Sequence, residues 1–270
     1  MRIIGEKING TRQRVAQAIE ERDSAFIHGL ASKQVEAGAA WLDVNAGTRP
    51  SKEPDDLIWL AETIQSVVDV PLCLDSANPQ ALEAAIQVVD RTPMINSISG
   101  EPKRLEGILP LLAEHGCPAI ALAMDNTGIP ETCEQRLEVV RKLMQTTRAH
   151  GIADDDIYID PLATALATNT DSVLITLETM HAIRREFPDA HLIMGLSNVS
   201  FGLPARSYIN RSFLILALAA GLDSAILDPL DRELRATLVA ARLVLGDDRH
   251  CLEYTRAYRA GLFNGASPEA

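Results

Sequence analysis

Acid and amide side chains follow the short apolar segments of this chain one after another, and they are the residues whose chemistry stands out. Each apolar segment is typical of a buried strand, and the polar residues come directly after it. Carboxylates accept hydrogen bonds, while amides both donate and accept them. Brought together, such groups would bind a small polar ligand. The set comprises Glu6, Asn9, Asp43, Asn45, Asp75, Asn96, Asp125, Asn126, Asp160, Asn198 and Asp228.

A flat ring with several N–H donors and a carbonyl group would suit these residues. A reduced pterin is such a ligand, because its amino group and adjacent ring N–H can both donate to one carboxylate. The same carboxylates would also suit a divalent metal ion, and the residues alone leave that alternative open. Any single Asp or Asn could equally be a turn residue or a helix cap. The recurrence after eight segments is what favours a ligand site.

The elements that would position these residues alternate between short apolar strands and longer amphipathic helices. About eight such units without a strong linker predict a single (β/α)8 TIM barrel, in which all strand ends meet at one face. An open doubly wound sheet is the alternative, but the first strand is followed by Gly5-Glu6-Lys7-Ile8-Asn9-Gly10, which is not its Gly-rich fingerprint. We predict strands at 2–5, 41–44, 72–74, 94–98, 119–123, 157–159, 192–195 and 225–227.

Helices are predicted between these strands, and the barrel is expected to occupy residues 1–262. Residues 263–270 are predicted to form a flexible tail, because they are rich in small and polar side chains. The clearest helical patterns cover 55–67, 80–89, 134–150, 172–186 and 231–245.

Composition limits the possible partners and the compartment. The net charge of −12 disfavours binding to nucleic acid or to an anionic membrane, since both need a cationic patch. No apolar run approaches the roughly 20 residues of a membrane span. The four cysteines lie far apart and form no CxxC pair, which favours a reducing cytoplasm. The strand ends carry neither histidine nor a Lys/Arg cluster, so a histidine-ligated metal and a phosphate clamp are both disfavoured.

Six segments resemble the methyltetrahydrofolate:corrinoid (cobalamin-dependent) methyltransferases. These are pterin-binding barrels related to dihydropteroate synthase and to the folate module of cobalamin-dependent methionine synthase. The resemblance covers nearly the whole chain in order, and its last segment is the longest and most specific. The segments are GEKING (5–10), DVNAG (43–47), LDS (74–76), INS (95–97), YIDP (158–161) and GLSNVSFGLP (195–204).

The resemblance implies roles for particular residues. Asp75, Asn96 and Asp160 match residues that hydrogen-bond the pterin edge in that family. Asn198 matches the amide that reaches the pterin nitrogen bearing the methyl group. We therefore expect Asn198, Asp75 and Asp160 to carry catalysis, with no metal ion.

Three further positions match the family's contacts around the substrate. Gly195 and Ser197 match backbone and hydroxyl contacts to the ring, and Arg206 matches a polar contact near the outer part of the folate. Dihydropteroate synthase fits less well. A basic residue would be expected beside the ring in this segment, and here Asn198 is followed by Val199.

The activity implied by the resemblance is methyl transfer between methyltetrahydrofolate or tetrahydrofolate and the cobalt of a cobalamin carried by a corrinoid-binding partner protein. The direction of transfer stays open. A homodimer is also implied, with the apolar stretch at 213–220 as one possible interface. Two alternatives remain: another pterin enzyme of the dihydropteroate synthase kind, and a folate-binding protein without catalytic activity.

Overall fold

Eight parallel strands form a barrel in the computed structural model, which describes residues 1–263. Neighbouring strands pair in the order β7-β6-β5-β4-β3-β2-β1-β8. This confirms the predicted (β/α)8 barrel. The strands are β1 (Arg2–Asn9), β2 (Trp41–Asn45), β3 (Leu72–Asp75), β4 (Met94–Ser99), β5 (Ala119–Leu122), β6 (Ile157–Asp160), β7 (His191–Leu192) and β8 (Ser224–Leu227).

The barrel closes between β7 and β8, and here the predicted strand at 192–195 needs a correction. The regular part of β7 ends at Leu192. After Gly195 the chain enters a short 3-10 helix, Leu196–Ser200. Closure continues beyond the regular strand. The backbone N–H of Ile226 donates to the carbonyl of Met194 over 2.9 Å, and Gly195 forms an isolated parallel bridge with Ile226.

β1 is longer than the predicted 2–5, since it runs to Asn9. Two charged residues interrupt its apolar pattern, and each has a partner at the barrel mouth. Lys7 Nζ lies 2.7 Å from Asp228 Oδ2, and Arg12 Nη2 lies 3.1 Å from Glu6 Oε1. These two ion pairs allow Glu6 and Lys7 to lie within the strand. The register of β1 against β2 shifts between Gly5 and Ile8, where the two residues lie.

Ten α-helices within residues 1–263 cover the outside of the barrel. The predicted helix 172–186 has the same bounds in the structure. Each of the other four predicted helices begins and ends within three residues of the predicted bounds. Side-chain caps fix several starts, as where Thr132 and Gln135 form a reciprocal capping box. The helices are α1 (Gln13–Glu21), α2 (Ser24–Glu36), α3 (Glu53–Gln65), α4 (Pro79–Ile86), α5 (Pro102–His115), α6 (Cys133–Ala149), α7 (Ser172–Glu186), α8 (Arg206–Ala219), α9 (Arg232–Val244) and α10 (Leu252–Arg259).

The core has two parts, as a barrel of this kind requires. A large aliphatic layer packs between strands and helices. Inside the barrel a smaller cluster fills the lumen, so the barrel is a packed core rather than a pore. That cluster comprises Ile4, Cys73, Met94, Ile120, Tyr158 and Ile193.

None of the helices between residues 1 and 263 combines the length and the apolar character that a bilayer crossing needs. Of the predicted tail, residues 264–270 lie outside the described part of the chain.

Candidate functional site

Asp75 and Asn96 are adjacent at the carboxyl ends of β3 and β4, where they pair in register. Asn45, at the end of β2, donates from Nδ2 to Asp75 Oδ2 over 2.9 Å. Burial raises the pKa of the Asp75 carboxyl, while the bond from Asn45 and the charge of Arg104 oppose that rise. The Asp75 carboxylate thus accepts one hydrogen bond from an amide and is largely shielded from water. It can accept a further hydrogen bond from a ligand.

Asp43 lies beneath this pair and positions Asn96. Asn96 Nδ2 donates to Asp43 Oδ1 over 3.1 Å, which orients the Asn96 amide. Asp43 is only 4% exposed. Burial, followed by the nearby charge of Asp75, raises the pKa of the Asp43 carboxyl. The resemblance assigns no pterin contact to Asp43 or Asn45, and in the structure each one holds a neighbouring candidate residue.

Asp160 ends β6 and is 7% exposed. Its Oδ1 accepts the backbone N–H of Leu162 over 2.7 Å, and the carboxylate also accepts from the backbone of Gly195. Burial raises the pKa of Asp160 to about 6, against the opposing effect of these bonds and of Arg136. The carboxylate therefore connects the end of β6 to the turn that follows β7.

Arg136 supports Asp160 from α6 and was not singled out from the sequence. Its guanidinium is buried, and Nη1 donates to the carbonyl oxygens of Pro161 and Leu162 over 2.8 and 2.7 Å. The signal was present, because Arg136 occupies the same helical stripe as the buried Val140 and Leu143. A charge on an apolar stripe needs buried partners, and here those partners are carbonyls of the strand-end loop.

Asn198 stands exposed in the 3-10 helix after β7, close above Gly195. A Cβ atom at Gly195 would lie only 2.9 Å from Asn198 Nδ2. A side chain at position 195 would therefore displace the Asn198 amide from this position. This gives Gly195 a steric function, beyond the backbone contact that the resemblance implies.

Arg206 fixes the carbonyl side of the same turn. Its Nη2 donates to the carbonyl of Ser197 over 2.7 Å, and its Nε donates to Ser200 Oγ over 3.0 Å. In the structure, Arg206 thus contacts the turn that carries Ser197 and Asn198. Since the side chain is itself exposed, the guanidinium remains accessible from the mouth.

The structure places all seven predicted residues on the carboxyl-end face of the barrel, in two groups. Asp75 and Asn96 form one group, on adjacent strands. The other group surrounds the end of β6 and the turn after β7, and comprises Asp160, Gly195, Ser197, Asn198 and Arg206.

Other strand-end acids have local partners instead. Asp125 accepts from the backbone and hydroxyl of Thr127 in a turn, and Asp228 pairs with Lys7. Within residues 1–263, no group of three or more His, Cys, Asp or Glu side chains is arranged to hold a metal ion. The donor set is one of paired acids and amides, which suits a ligand with N–H and carbonyl groups.

Fold and site together define a (β/α)8 barrel with a buried acid and amide site at its mouth. Residues 5–228 match the family described as pterin binding enzyme, and the chain belongs to that family. It is 40% identical to a methylcorrinoid:tetrahydrofolate methyltransferase from Eubacterium limosum, over 97% of each chain. It is 29% identical, over 83% of its length, to methionine synthase from Mycobacterium tuberculosis, of which it spans 20%.

Solved structures show the same fold. A dihydropteroate synthase from Coxiella burnetii in complex with pteroic acid superposes with a TM-score of 0.67 at 18% identity, over 92% of this chain and 94% of that one. The dihydropteroate synthase from Yersinia pestis gives a TM-score of 0.65 at 17% identity, over 92% and 94% of the two chains.

Proposed function

We propose that this protein is a methyltransferase that moves a methyl group between methyltetrahydrofolate and the cobalt of a corrinoid carried by a separate partner protein. The observation that carries the proposal is the 40% identity to a methylcorrinoid:tetrahydrofolate methyltransferase over 97% of both chains. The acid and amide site at the barrel mouth supplies the matching chemistry.

One buried atom supports the fit of a pterin. Asn45 Oδ1 is buried and has no hydrogen-bond partner among the described residues, and it belongs to the amide that donates to Asp75. A buried acceptor of this kind costs free energy unless a donor reaches it. A pterin edge carries adjacent N–H groups, which would serve Asp75 and its neighbour together. On this proposal, Asp75, Asn96 and Asp160 hold the pterin edge.

Asn198 is proposed to act at the pterin nitrogen that carries the methyl group. A methyl group on a tertiary amine is a poor electrophile unless the nitrogen gains a proton or a strong hydrogen bond as it leaves. An amide can donate to or accept from that nitrogen as its protonation changes. The corrinoid of the partner supplies the cobalt that exchanges the methyl group, and the barrel contributes orientation and electrostatics.

A spectral assay tests the proposal in both directions. The protein is mixed with methyltetrahydrofolate and cob(I)alamin, and formation of methylcobalamin is followed by absorbance. The reverse mixture contains methylcobalamin and tetrahydrofolate. Turnover in either direction is expected. Absence of turnover in both, with folate still bound, would instead support a folate-binding protein, and condensation of a pterin with p-aminobenzoate would support a synthase.

We also propose a homodimer formed through α7 and α8. Residues 212–222 carry no charge, although the chain has a net charge of −12 that would repel a second copy elsewhere. On this side Leu174 is 68% exposed and Leu216 is 49% exposed. Light scattering should give a dimer for the wild type and a monomer for Leu174→Glu. A monomeric wild type would contradict the proposal.

The proposed compartment is the cytoplasm. All four cysteines are free, and Cys251 is exposed, which suits a reducing environment. Fractionation of cells that produce the protein should place it in the cytoplasmic fraction, whereas recovery with the membrane or outside the cell would contradict the proposal.

A further inference from the structure

Arg136 carries a buried positive charge behind the barrel mouth. The side chain is 2% exposed. Its Nε donates to the carbonyl of Pro130 over 3.0 Å, and its Nη1 donates to the Thr176 hydroxyl over 3.3 Å, so these partners are neutral. Buried charges are normally paired with an opposite charge. The charge that balances Arg136 is the carboxylate of Asp160, and the two are connected through the backbone.

One peptide group joins the two charges. The carbonyl of the Pro161–Leu162 peptide accepts a hydrogen bond from Arg136 Nη1 over 2.8 Å. The N–H of the same peptide donates to Asp160 Oδ1 over 2.7 Å. The peptide dipole therefore lies between the cation and the carboxylate, with each of its ends on the opposite charge. Hydrogen bonds in such a chain polarise and strengthen one another, so Arg136 strengthens the bond that the acid accepts.

The conformation of Leu162 makes the loop depend on Arg136. The φ of Leu162 is 63°, in the left-handed region that a leucine rarely adopts and that persists only where surrounding contacts hold it. Arg136 Nη1 also donates to the Leu162 carbonyl over 2.7 Å. The guanidinium thus binds the peptide groups on both sides of Leu162, and these contacts keep the Leu162 N–H directed at Asp160.

Each of the two charges opposes the effect of burial on the other. Burial raises the pKa of the Asp160 carboxyl, and the backbone N–H groups of Leu162 and Gly195, followed by the charge of Arg136, oppose that rise. Burial also lowers the pKa of Arg136, while Asp160, and after it Cys133 on the same helix, oppose that fall. The ionised form of Asp160 is therefore supported by the cation behind it.

We propose that Arg136 is a positioning residue for the methyl transfer: through the Pro161–Leu162 peptide it keeps Asp160 ionised and directed at the substrate near neutral pH. The inference rests on the proposed function, in which Asp160 accepts hydrogen bonds from the substrate. Because Arg136 is itself buried, its effect reaches the substrate through Asp160. A role confined to packing would affect folding but leave the pH range of substrate binding unchanged.

The experiment separates the charge of Arg136 from its hydrogen bonds. Arg136→Gln keeps an amide N–H for the loop carbonyls but removes the charge, whereas Arg136→Lys keeps the charge. Leu143→Ala is the matched control, since it leaves a cavity two turns further along the buried stripe of α6. Circular dichroism first confirms that each variant is folded. Calorimetry then gives the dissociation constant for methyltetrahydrofolate at about pH 6 and about pH 8.

Arg136→Gln should shift the midpoint of the pH profile upward by about one unit. Folate binding should then weaken about fivefold at pH 6, where Asp160 of the wild type is half ionised, and less than about twofold at pH 8. Arg136→Lys should stay within about twofold of the wild type at both values. Leu143→Ala should keep the pH dependence of the wild type. If Arg136→Gln does not fold, Arg136→Met, which is also uncharged, carries the same test.

Three outcomes would overturn the inference and leave Arg136 with a structural role only. They are an equal loss of affinity at both pH values, a wild-type profile in the uncharged variant, and the same upward shift in Leu143→Ala. A loss in Arg136→Lys as large as that in Arg136→Gln would show that the charge is not the cause, and would overturn it too. All of these leave the proposed function intact, whereas failure of the wild type to bind methyltetrahydrofolate at either pH would overturn the proposed function itself.

Discussion

Asn45 and Asp75 form a hydrogen-bonded pair at the ends of β2 and β3, with 2.9 Å between Nδ2 and Oδ2. The other atom of the same amide, Oδ1, is buried without a partner among the described residues. The pair therefore combines a carboxylate with a buried amide oxygen that has no donor among the described residues. An unpartnered buried acceptor typically costs about 1–3 kcal/mol, so a ligand that donates to it gains affinity.

Asn45→Ala should weaken folate binding about tenfold at pH 7, since the amide that orients the Asp75 carboxylate and favours its ionised form is lost together with one acceptor. The bond from Asn45 also holds down the pKa of Asp75, so its loss should raise that pKa further. Calorimetry gives the dissociation constant. The control is Asn126→Ala, because Asn126 also follows a strand but is exposed. Equal affinities for the two variants would contradict a role of the pair in binding.

The sequence predicted the barrel and the polar mouth because both follow from local patterns. Apolar strands and amphipathic helices mark the elements, and an acid or amide after each strand lies at the same face once the barrel closes. The bond between Asn45 and Asp75, and the bond between Asn96 and Asp43 on strands separated by β3, depend on strand register and on side-chain rotamers. Neither is visible in a linear pattern.

The end of β7 and the partners of Arg136 could not be predicted from the sequence, for related reasons. Apolar residues continue past Leu192, so the pattern extends the strand, while in the structure the chain enters a 3-10 helix directly after Gly195. Arg136 needs carbonyls from a distant loop to be stable inside the protein. Contacts of this long-range kind decide where a buried charge is tolerated.

Folate affinity should decrease in mild acid because of Asp160. Burial raises the pKa of this carboxyl to about 6, and a ligand that donates hydrogen bonds to it binds the ionised form. Affinity is then full above about pH 7 and falls as the pH drops through about 6, approaching a tenfold loss per pH unit. Calorimetric titrations between pH 5 and 8, on the order of one per half unit, would give the profile.

Asp160→Asn is the control for this profile. The variant has no titrating group at the position, so its affinity should be lower at pH 7 and should lack the decline centred near pH 6. Asp75→Ala should also weaken folate binding but keep the decline near pH 6. A decline that survives in Asp160→Asn would assign the titration to a different group.

Arg136→Met should destabilise the protein by about 3 kcal/mol, because it leaves the buried carbonyl of Pro161 without its Arg136 donor and the carbonyl of Leu162 with only the long bond of 3.4 Å from the Thr176 hydroxyl. Urea denaturation gives the free energy of unfolding. Arg185→Met, an exposed change on α7, should have an effect within about 0.5 kcal/mol of zero. Comparable loss in both variants would show that the buried carbonyl contacts contribute little.

Asn198→Ala should separate catalysis from binding. If the amide acts on the pterin nitrogen as the methyl group leaves, its removal should lower the rate of methyl transfer about 10²–10³-fold. The dissociation constant for methyltetrahydrofolate should change less, because the pterin edge is held elsewhere, by Asp75, Asn96 and Asp160. Single-turnover spectroscopy with cob(I)alamin gives the rate, and calorimetry gives the affinity.

The matched variant is Ser197→Ala, which removes a neighbouring hydroxyl but keeps the Ser197 carbonyl that Arg206 holds. Its transfer rate should stay within a few-fold of wild type, on the order expected for a ring contact of modest energy. A methyl-transfer rate for Asn198→Ala close to that of wild type would exclude Asn198 from the chemical step. A parallel loss of rate and affinity would make it a binding residue, because an interaction made equally in the ground and transition states lowers KM without raising kcat.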